Sequence, residues 1–467
     1  MPTPTIERVE LVGIHQRYNL DISFKSTLNI LYGENGTGKS TLIHIIANVS
    51  NGDFIRFAFL DFFKIKVTYS NQFSLTIKKE SEKINTNITV SVNKGDSLKF
   101  SQREAIDVSR EIEDSRYDSE IEPELSIKIL EFIEKNNIPI IKNSYFPAFR
   151  TMLEAWSSQI EQYSEFSLRH MNPDPHPSDK PTKFSRRLFG PFLPTINYPS
   201  PIDIERYLNR QIRHCQIKIA SYERSIFSDS FVKVFSALLE GDSENTDNID
   251  PNTLIKEISV LTNDFTNNRL SNIQEDTETY RELRDLVFRS NKNKDLKGAA
   301  SEALLVYRNA LQNRRSYQER IFKNVDTYFE IVNFFLNEKQ LSYSLDKNRR
   351  MPRIGLRFPD DTWSKIRVMS SGERQLLTML YAVNRMSNNS IVLIDEPEIS
   401  LHIDWQENLL EKMMEQLKDR QIIVCTHSPA IASDFTDHMI KVEPIFTKKI
   451  TSNIDLFDEE EDEGEDY

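Results

Sequence analysis

An α/β fold with a β-rich N-terminal lobe and a helical, short coiled-coil-like insertion is the class this sequence predicts. Three observations carry the prediction. Leu28-Asn-Ile-Leu-Tyr32 reads as a buried strand that feeds a glycine-rich loop and then an apolar helix over residues 40–47. Near the other end, two apolar stretches ending at Asp395-Glu396 and at Thr426-His427-Ser428 read as strands separated by one helix, 404–417. Between these ends, residues 204–239, 252–290 and 301–336 read as long helices.

The loop after the first strand, Gly33-Glu-Asn-Gly-Thr-Gly-Lys-Ser40-Thr41, has the form Gly-x4-Gly-Lys-Ser and holds three of the twelve glycines of the chain. Such a backbone bends so that successive N–H groups converge on phosphate oxygens at a helix N-terminus. Asn35, Gly36, Thr37, Gly38 and Thr41 belong to this cradle. Lys39 is placed to reach the β- and γ-phosphates of ATP, and the Ser40 hydroxyl to ligate Mg²⁺.

Around the loop, 9–14 and 20–24 read as strands, and 64–69, 73–78 and 87–92 as a meander with turns at Ser70-Asn71 and Asn93-Lys-Gly95. Helix predominates from about 120. Seven prolines between 173 and 199 predict an irregular segment. In the last long helix Leu304, Leu311, Val325 and Val332, joined by Tyr307, Phe322, Phe329 and Leu336, make a wide apolar face rather than a strict coiled-coil seam. Strand resumes at 353–358 and at 365–368. The expected organisation is an N-terminal lobe at 1–150, a helical insertion at 151–350, a C-terminal lobe at 351–445 and an acidic, disordered tail at 446–467.

Composition narrows the setting. Of 467 residues, 28% are charged and mean hydropathy is −0.51. No apolar run approaches ~18 residues, which predicts no membrane span. No basic-then-apolar leader opens the chain, and Cys215 and Cys425 are far apart, so a reducing cytoplasm is expected. The net charge of −12 is uneven. Nine acidic residues lie between Asp455 and Asp466, whereas 281–323 holds eleven Lys or Arg against five Asp or Glu. That asymmetry leaves direct nucleic-acid binding open.

The C-terminal third supplies the rest of the chemistry. Ser390-Ile-Val-Leu-Ile-Asp395-Glu396 is an apolar strand ending in two carboxylates: Asp395 for Mg²⁺, Glu396 to polarise an attacking water. Met369-Ser-Ser-Gly-Glu-Arg-Gln375 precedes an amphipathic helix with Leu376, Met379, Leu380 and Val383 on one face. Its serine and free N–H groups make a second anion site, although an ordinary N-cap has the same pattern. Gln421-Ile-Ile-Val-Cys-Thr-His427-Ser428 is a strand ending in histidine, one helix and one strand beyond Asp395.

In this order the motifs resemble an ABC-type P-loop ATPase head of the branch that includes RecF, Rad50, SMC and the OLD nucleases. The stretch Glu396-Pro-Glu-Ile-Ser-Leu-His402-Ile-Asp-Trp-Gln406 is similar to one carried by OLD-like defence ATPases. The resemblance implies two ATPs held between two heads, hence head-to-head dimerisation within a homo-oligomer. It implies that Ser371, Gly372 and Glu373 contact the γ-phosphate bound to a partner subunit. Residues 400–402 would form the D-loop, and His427 would sense the γ-phosphate. Tyr145-Phe-Pro-Ala-Phe-Arg150 is similar to a Tyr-x-Pro-x-x-Arg segment of such ATPases, which brings Arg150 toward the nucleotide. A surface arginine after a buried strand reads the same way. Gln102, Gln159 and Gln162 are alternatives for a Q-loop glutamine, and Arg17 or Tyr18 for a contact to adenine.

The stretch from Lys39 to Asp395 exceeds what a transporter motor needs, and no Cys-x-x-Cys hook or very long coiled coil is present. No TOPRIM-like acidic cluster follows Pro444. The resemblance is then to stand-alone ATPases of anti-phage systems, PARIS above the Septu or retron type, acting with a separately encoded nuclease effector and a phage-encoded trigger. A RecF-like ATPase acting on DNA and an ATP-locked, non-hydrolysing scaffold are the competing expectations.

Overall fold

The computed structural model describes residues 4–82, 85–93, 95–113, 123–150, 152–153, 179–196, 199–240, 253–254, 256–261, 298–344, 352–385, 390–416 and 420–446. The chain opens with the hairpin β1 (Ile6–Ile14) and β2 (Tyr18–Ser23), and β3 (Leu28–Tyr32) then leads through the glycine loop into α1 (Lys39–Ser50). β4 (Lys64–Tyr69), β5 (Ser74–Glu82), β6 (Asn85–Val92) and β7 (Ser97–Ser101) follow as an antiparallel meander. In β4, Ile65, Val67 and Tyr69 are buried while Lys64, Lys66 and Thr68 are half-exposed, the alternation of a sheet with one face on the core.

Helices α2 (Gln102–Glu113) and α3 (Glu124–Lys135) precede β8 (Lys142–Phe146); α4 (Asp179–Phe189) precedes the long α5 (Pro201–Glu240) and α6 (Gly298–Phe335). Then come β9 (Gln340–Ser344), β10 (Arg353–Arg357) and β11 (Trp363–Ser364), α7 (Ser371–Arg385), β12 (Ser390–Asp395), α8 (Ile403–Gln416), β13 (Gln421–Cys425), β14 (Met439–Lys441) and β15 (Ile445–Phe446).

The strands build three sheets. The N-terminal sheet has the order β15-β2-β1-β4-β5-β6-β7, and a small one runs β11-β10-β9. The central sheet is β14-β3-β13-β12-β8, every pairing parallel. It draws β3 and β8 from the N-terminal part of the chain and the other three from the C-terminal part.

A parallel sheet needs cover on both faces, and its strands are accordingly apolar on both. Leu31, Ile391, Leu393, Ile423 and Cys425 pack with α1 and the N-terminal lobe. Leu28, Ile30, Val392, Ile394, Ile422 and Val424 face the other way, into a core shared with α5 to α8. α1 is buried nearly all round, through Leu42, Ile43, Ile45, Ile46, Ala47 and Val49, because it lies between two layers. Burying each such aliphatic side chain stabilises the fold by about 1.5–3 kcal/mol.

The helical insertion stands on this second core. Ser200 and Asp203 cap α5 reciprocally, with Pro201 in the first turn, where no N–H is missed. α5 and α6 pack together and are each about 60 Å long at ~1.5 Å per residue. Phe322, Val325, Tyr328, Phe329, Val332 and Phe335 of α6 are buried at the foot. No helix among the described residues is long and apolar enough to cross a membrane.

Four expectations change. The Pro-rich segment contains a regular helix, α4, because Pro181 falls in its first turn and needs no intrahelical donor. A helix already forms at 102–113, ahead of the stretch from about 120 where helix is expected to predominate. Residues 366–368 form a 3₁₀ turn rather than a strand. Phe446, expected in the disordered tail, instead belongs to β15, which pairs with β2 at the edge of the N-terminal sheet. Most of 252–290, the basic stretch up to 297, Gln159, Gln162 and the acidic residues of the tail lie outside the described residues.

Candidate nucleotide site

The carboxyl ends of β3, β12 and β13 meet at one edge of the central sheet, where open α/β sheets bind their ligands. A cleft of about 670 Å³ opens there, lined by Asn35, Gly36, Gly38, Lys39, Ser40 and Thr41 on one side and by Asp395, Glu396, Cys425 and His427 on another. That volume lies in the usual range of small-ligand pockets. Residues far apart in sequence thus converge because their strands are neighbours.

The loop is built from its own backbone. Gly36 and Gly38 have φ of 80° and 93°, a left-handed region that favours glycine. A side chain at Gly38 would strike the Tyr18 hydroxyl at 2.4 Å. Thr37 is not among the lining residues, and its hydroxyl donates to the Glu34 carbonyl at 3.0 Å. Lys39 is buried, and its Nζ donates to the carbonyls of Gly33 and Glu34 at 2.9 and 2.8 Å. Burial draws the Lys39 pKa below the ordinary lysine value, against the pull of nearby acidic groups including Asp395, Glu396 and Glu398.

Asp395 and Ser40 hydrogen-bond across the cleft. Burial, reinforced by the neighbouring Glu396, pushes the Asp395 carboxyl up to about 6, with Ser40, Arg150 and Lys39 opposing. A buried carboxylate under that strain, beside a hydroxyl and a second carboxylate, fits a hard divalent cation with oxygen ligands. Ser40 and Asp395 are the residues that would hold Mg²⁺. Among the described residues no cluster of three or more His, Cys, Asp or Glu suits a metal ion held by protein alone.

Glu396 has φ of 50°, a costly conformation for a non-glycine residue that concentrates at functional sites. Arg150 holds it there. The guanidinium is 1% exposed and donates to the carbonyls of Pro147, Asp395, Glu396 and Pro397 at 3.2, 3.0, 2.9 and 3.1 Å. This corrects both readings of Arg150. It neither lines the cleft nor sits on the surface, because the turn after β12 needs its donors. Gln102 is likewise absent from the lining; its amide donates to the Ala58 carbonyl at 2.7 Å.

Two residues that motif reasoning left without a role organise the histidine loop. The Glu398 carboxylate accepts the Thr426 hydroxyl at 2.9 Å and the N–H groups of His427 and Ser428 at 2.8 and 3.2 Å. Gln406 accepts the Ser428 hydroxyl at 2.7 Å and donates to the Leu401 carbonyl at 3.0 Å. The signal was the Glu-Pro-Glu…Gln stretch itself. His427 is left exposed on the cleft wall.

Ser371, Gly372 and Glu373 do not line this cleft. Gly372 sits against Ser400 of its own chain, where an added Cβ would lie 2.4 Å from the Ser400 carbonyl oxygen. Glu373 departs from its expected contact. Its carboxylate accepts the Ser370 N–H at 2.7 Å and pairs with Lys339 at 2.9 Å, while its own N–H goes to the Ser370 hydroxyl at 3.3 Å. That is a capping box, so one N–H of the expected second anion site is already satisfied and the carboxylate points inward.

At the rim, His15, Arg17, Tyr18 and Phe446 complete the lining. Tyr18 is 5% exposed, with its hydroxyl bonded to Thr41, so it supports the loop from beneath.

Comparison with known proteins bears on this geometry. A family model described as "AAA domain, putative AbiEii toxin, Type IV TA system" matches residues 255–434, and one described as "AAA domain" matches residues 8–172. Among curated relatives, the Retron Ec83 probable ATPase of Escherichia coli is 26% identical over 50% of this chain and 43% of its own length. The Retron Vc95 probable ATPase of Vibrio cholerae is 25% identical over 40% of this chain and 36% of its own. The matched region therefore spans less than half the length of these relatives. Among solved structures, the Smc head domain with an extended coiled coil from Pyrococcus furiosus aligns with 95% of this chain and 96% of that one, at 13% identity and a TM-score of 0.39. The structure is an α/β fold with a glycine-rich P-loop and a helical insertion, and the chain is similar to AAA-domain models over these two segments and to retron ATPases over part of its length.

Proposed function

We propose that this chain binds ATP with Mg²⁺ in the cleft, hydrolyses it at sites completed by a second subunit, and thereby controls a separately encoded nuclease in an anti-phage defence complex. The observation that carries the reading is the convergence of Lys39, Ser40, Asp395, Glu396 and His427 on one cleft from which Ser371 and Gly372 are absent. A signature turn outside its own cleft is free to meet the nucleotide of a partner.

In this scheme the loop N–H groups and Lys39 hold the phosphates. Ser40 and Asp395 would hold Mg²⁺, which would supply charge neutralisation for the phosphates. Glu396 accepts the proton of the attacking water, and Arg150 keeps it in place through the backbone. His427, fastened by Glu398, contacts the γ-phosphate. Ser371 and Gly372 of the facing subunit close the site within a homo-oligomer.

The similarity to retron ATPases supports the defence reading. It weighs toward a retron-type assembly against the PARIS-type one expected from length and insert, with a phage protein as trigger in either case. Two measurements test this proposal. Purified protein should hydrolyse ATP, and Glu396→Gln should lower kcat about 100- to 10,000-fold without loss of ATP binding. The product of the adjacent gene should co-purify, a TOPRIM nuclease restoring the PARIS-type choice. An orphan gene, or no association, removes the effector half of the proposal.

A further inference from the structure

The last strand among the described residues ends at the candidate nucleotide cleft. β15 is only two residues long, pairs antiparallel with β2 through Ile445↔Asn19 and Phe446↔Tyr18, and leaves Phe446 70% exposed on the cleft rim. Its phenyl ring is mostly exposed at the mouth of the cleft. The other aromatic in the lining, Tyr18, is excluded from stacking on a ligand. It is 5% exposed, its hydroxyl bonds Thr41, and its ring carbons lie within 3.1 Å of where a Cβ on Gly38 would sit. Tyr18 instead backs Phe446, with ring centroids 6.4 Å apart and planes at 70°.

A second observation marks the same rim. The hairpin joining β1 to β2 turns through His15 and Gln16, whose φ values are 51° and 57°, with the Arg17 N–H donating to the Ile14 carbonyl at 3.0 Å. Two consecutive left-handed residues are what this turn type requires, and Asn-Gly is the usual solution. Here bulkier residues accept the strain, and the turn delivers His15 and Arg17 to the cleft beside Phe446.

We infer that Phe446, carried by β15, is the stacking platform for the nucleobase, and that the His15–Arg17 turn forms the rim of this purine subsite. The inference rests on the ATP reading of the cleft and adds what selects the base. Phosphates occupy the loop between Gly36 and Thr41, and the base lies over Phe446, so the C-terminal strand becomes part of the nucleotide site. The contribution is specific to the base, because Phe446 offers a π-face and no charge.

The test titrates the full chain with ATP, CTP and inorganic tripolyphosphate, comparing wild type with Phe446→Ala, Phe446→Trp and Lys39→Ala. Phe446→Ala should weaken ATP about 5- to 100-fold. It should narrow the preference for ATP over CTP and leave tripolyphosphate binding within about twofold. Phe446→Trp should restore ATP binding. Unchanged ATP affinity in Phe446→Ala overturns the inference, as does an equal loss of ATP and tripolyphosphate, which signals general damage to the rim. Wild type that binds neither ligand, or Lys39→Ala that binds both normally, overturns the ATP reading itself.

Discussion

Two helices of this protein start at glycine-containing turns, and their N-termini are finished in opposite ways. α1 follows Gly38, a left-handed residue with no side chain to cap the helix. α7 begins beside Ser370, whose hydroxyl and N–H are both engaged by Glu373, with Lys339 clamped to the same carboxylate. The first N–H groups of any helix lack intrahelical partners. At α7 the chain supplies an acceptor itself; at α1 no side chain does. The open end suits an anion arriving from solution. The closed end suits a rigid turn that presents Ser371 and Gly372 without needing a ligand to hold its shape. In the proposed scheme, then, one site binds the nucleotide and the other is brought to it.

Variants can break this contrast, and the largest effect belongs to the chemistry at the open end. Glu396→Gln should lower kcat about 100- to 10,000-fold while ATP affinity changes little. A matching loss of affinity would mean that Glu396 only shapes the cleft. Next comes the support beneath it. Arg150→Ala leaves the carbonyls after β12 without their donor and should cost about 2–4 kcal/mol of stability, read as a lower denaturation midpoint. A variant as stable as wild type would show that the turn holds itself.

Asp395 gives a pH-dependent comparison. Its carboxyl is raised from an ordinary 3.8 to about 6, so the folded nucleotide-free protein binds that proton more tightly than the unfolded chain. The resulting stability is full below pH 3.8 and is lost as pH rises through about 6. Asp395→Asn should thus stabilise the nucleotide-free protein by about 1–3 kcal/mol at pH 8, an advantage that fades toward pH 4. A difference independent of pH contradicts the assigned charge strain. The smallest effect is at the closed end. Ser370→Ala removes a cap and should cost about 1 kcal/mol while ATP binding by a single subunit stays unchanged. Lost binding would place the signature turn in its own subunit's cleft.

Much of the site was legible because its chemistry is local. The glycine loop, the apolar strand ending in Asp395-Glu396 and the strand ending at His427 each carry their signal within about ten residues. The meander was legible for the same reason, since alternation along β4 reports its buried face. What stayed hidden depends on tertiary partners. Arg150 resembles a ligand contact until the four carbonyls around it are in view. A two-residue strand such as β15 is too short to have a period, so Phe446 gave no sign of lying beside Tyr18. Glu373 is different: Ser370-x-x-Glu373 is a capping-box pattern in plain sequence, and the N-cap alternative to an anion site is the one the structure shows.

In the proposed scheme a complete site takes its loop from one subunit and its signature turn from another. Mixing two inactive variants tests it most directly. Lys39→Ala lacks the loop function and Ser371→Arg lacks the signature function, so neither should hydrolyse ATP alone. Mixed in equal amounts, they form heterodimers that each contain one intact pairing. ATPase activity should then recover to about a quarter of the wild-type value per subunit. A mixture no more active than its separate components would contradict the composite site.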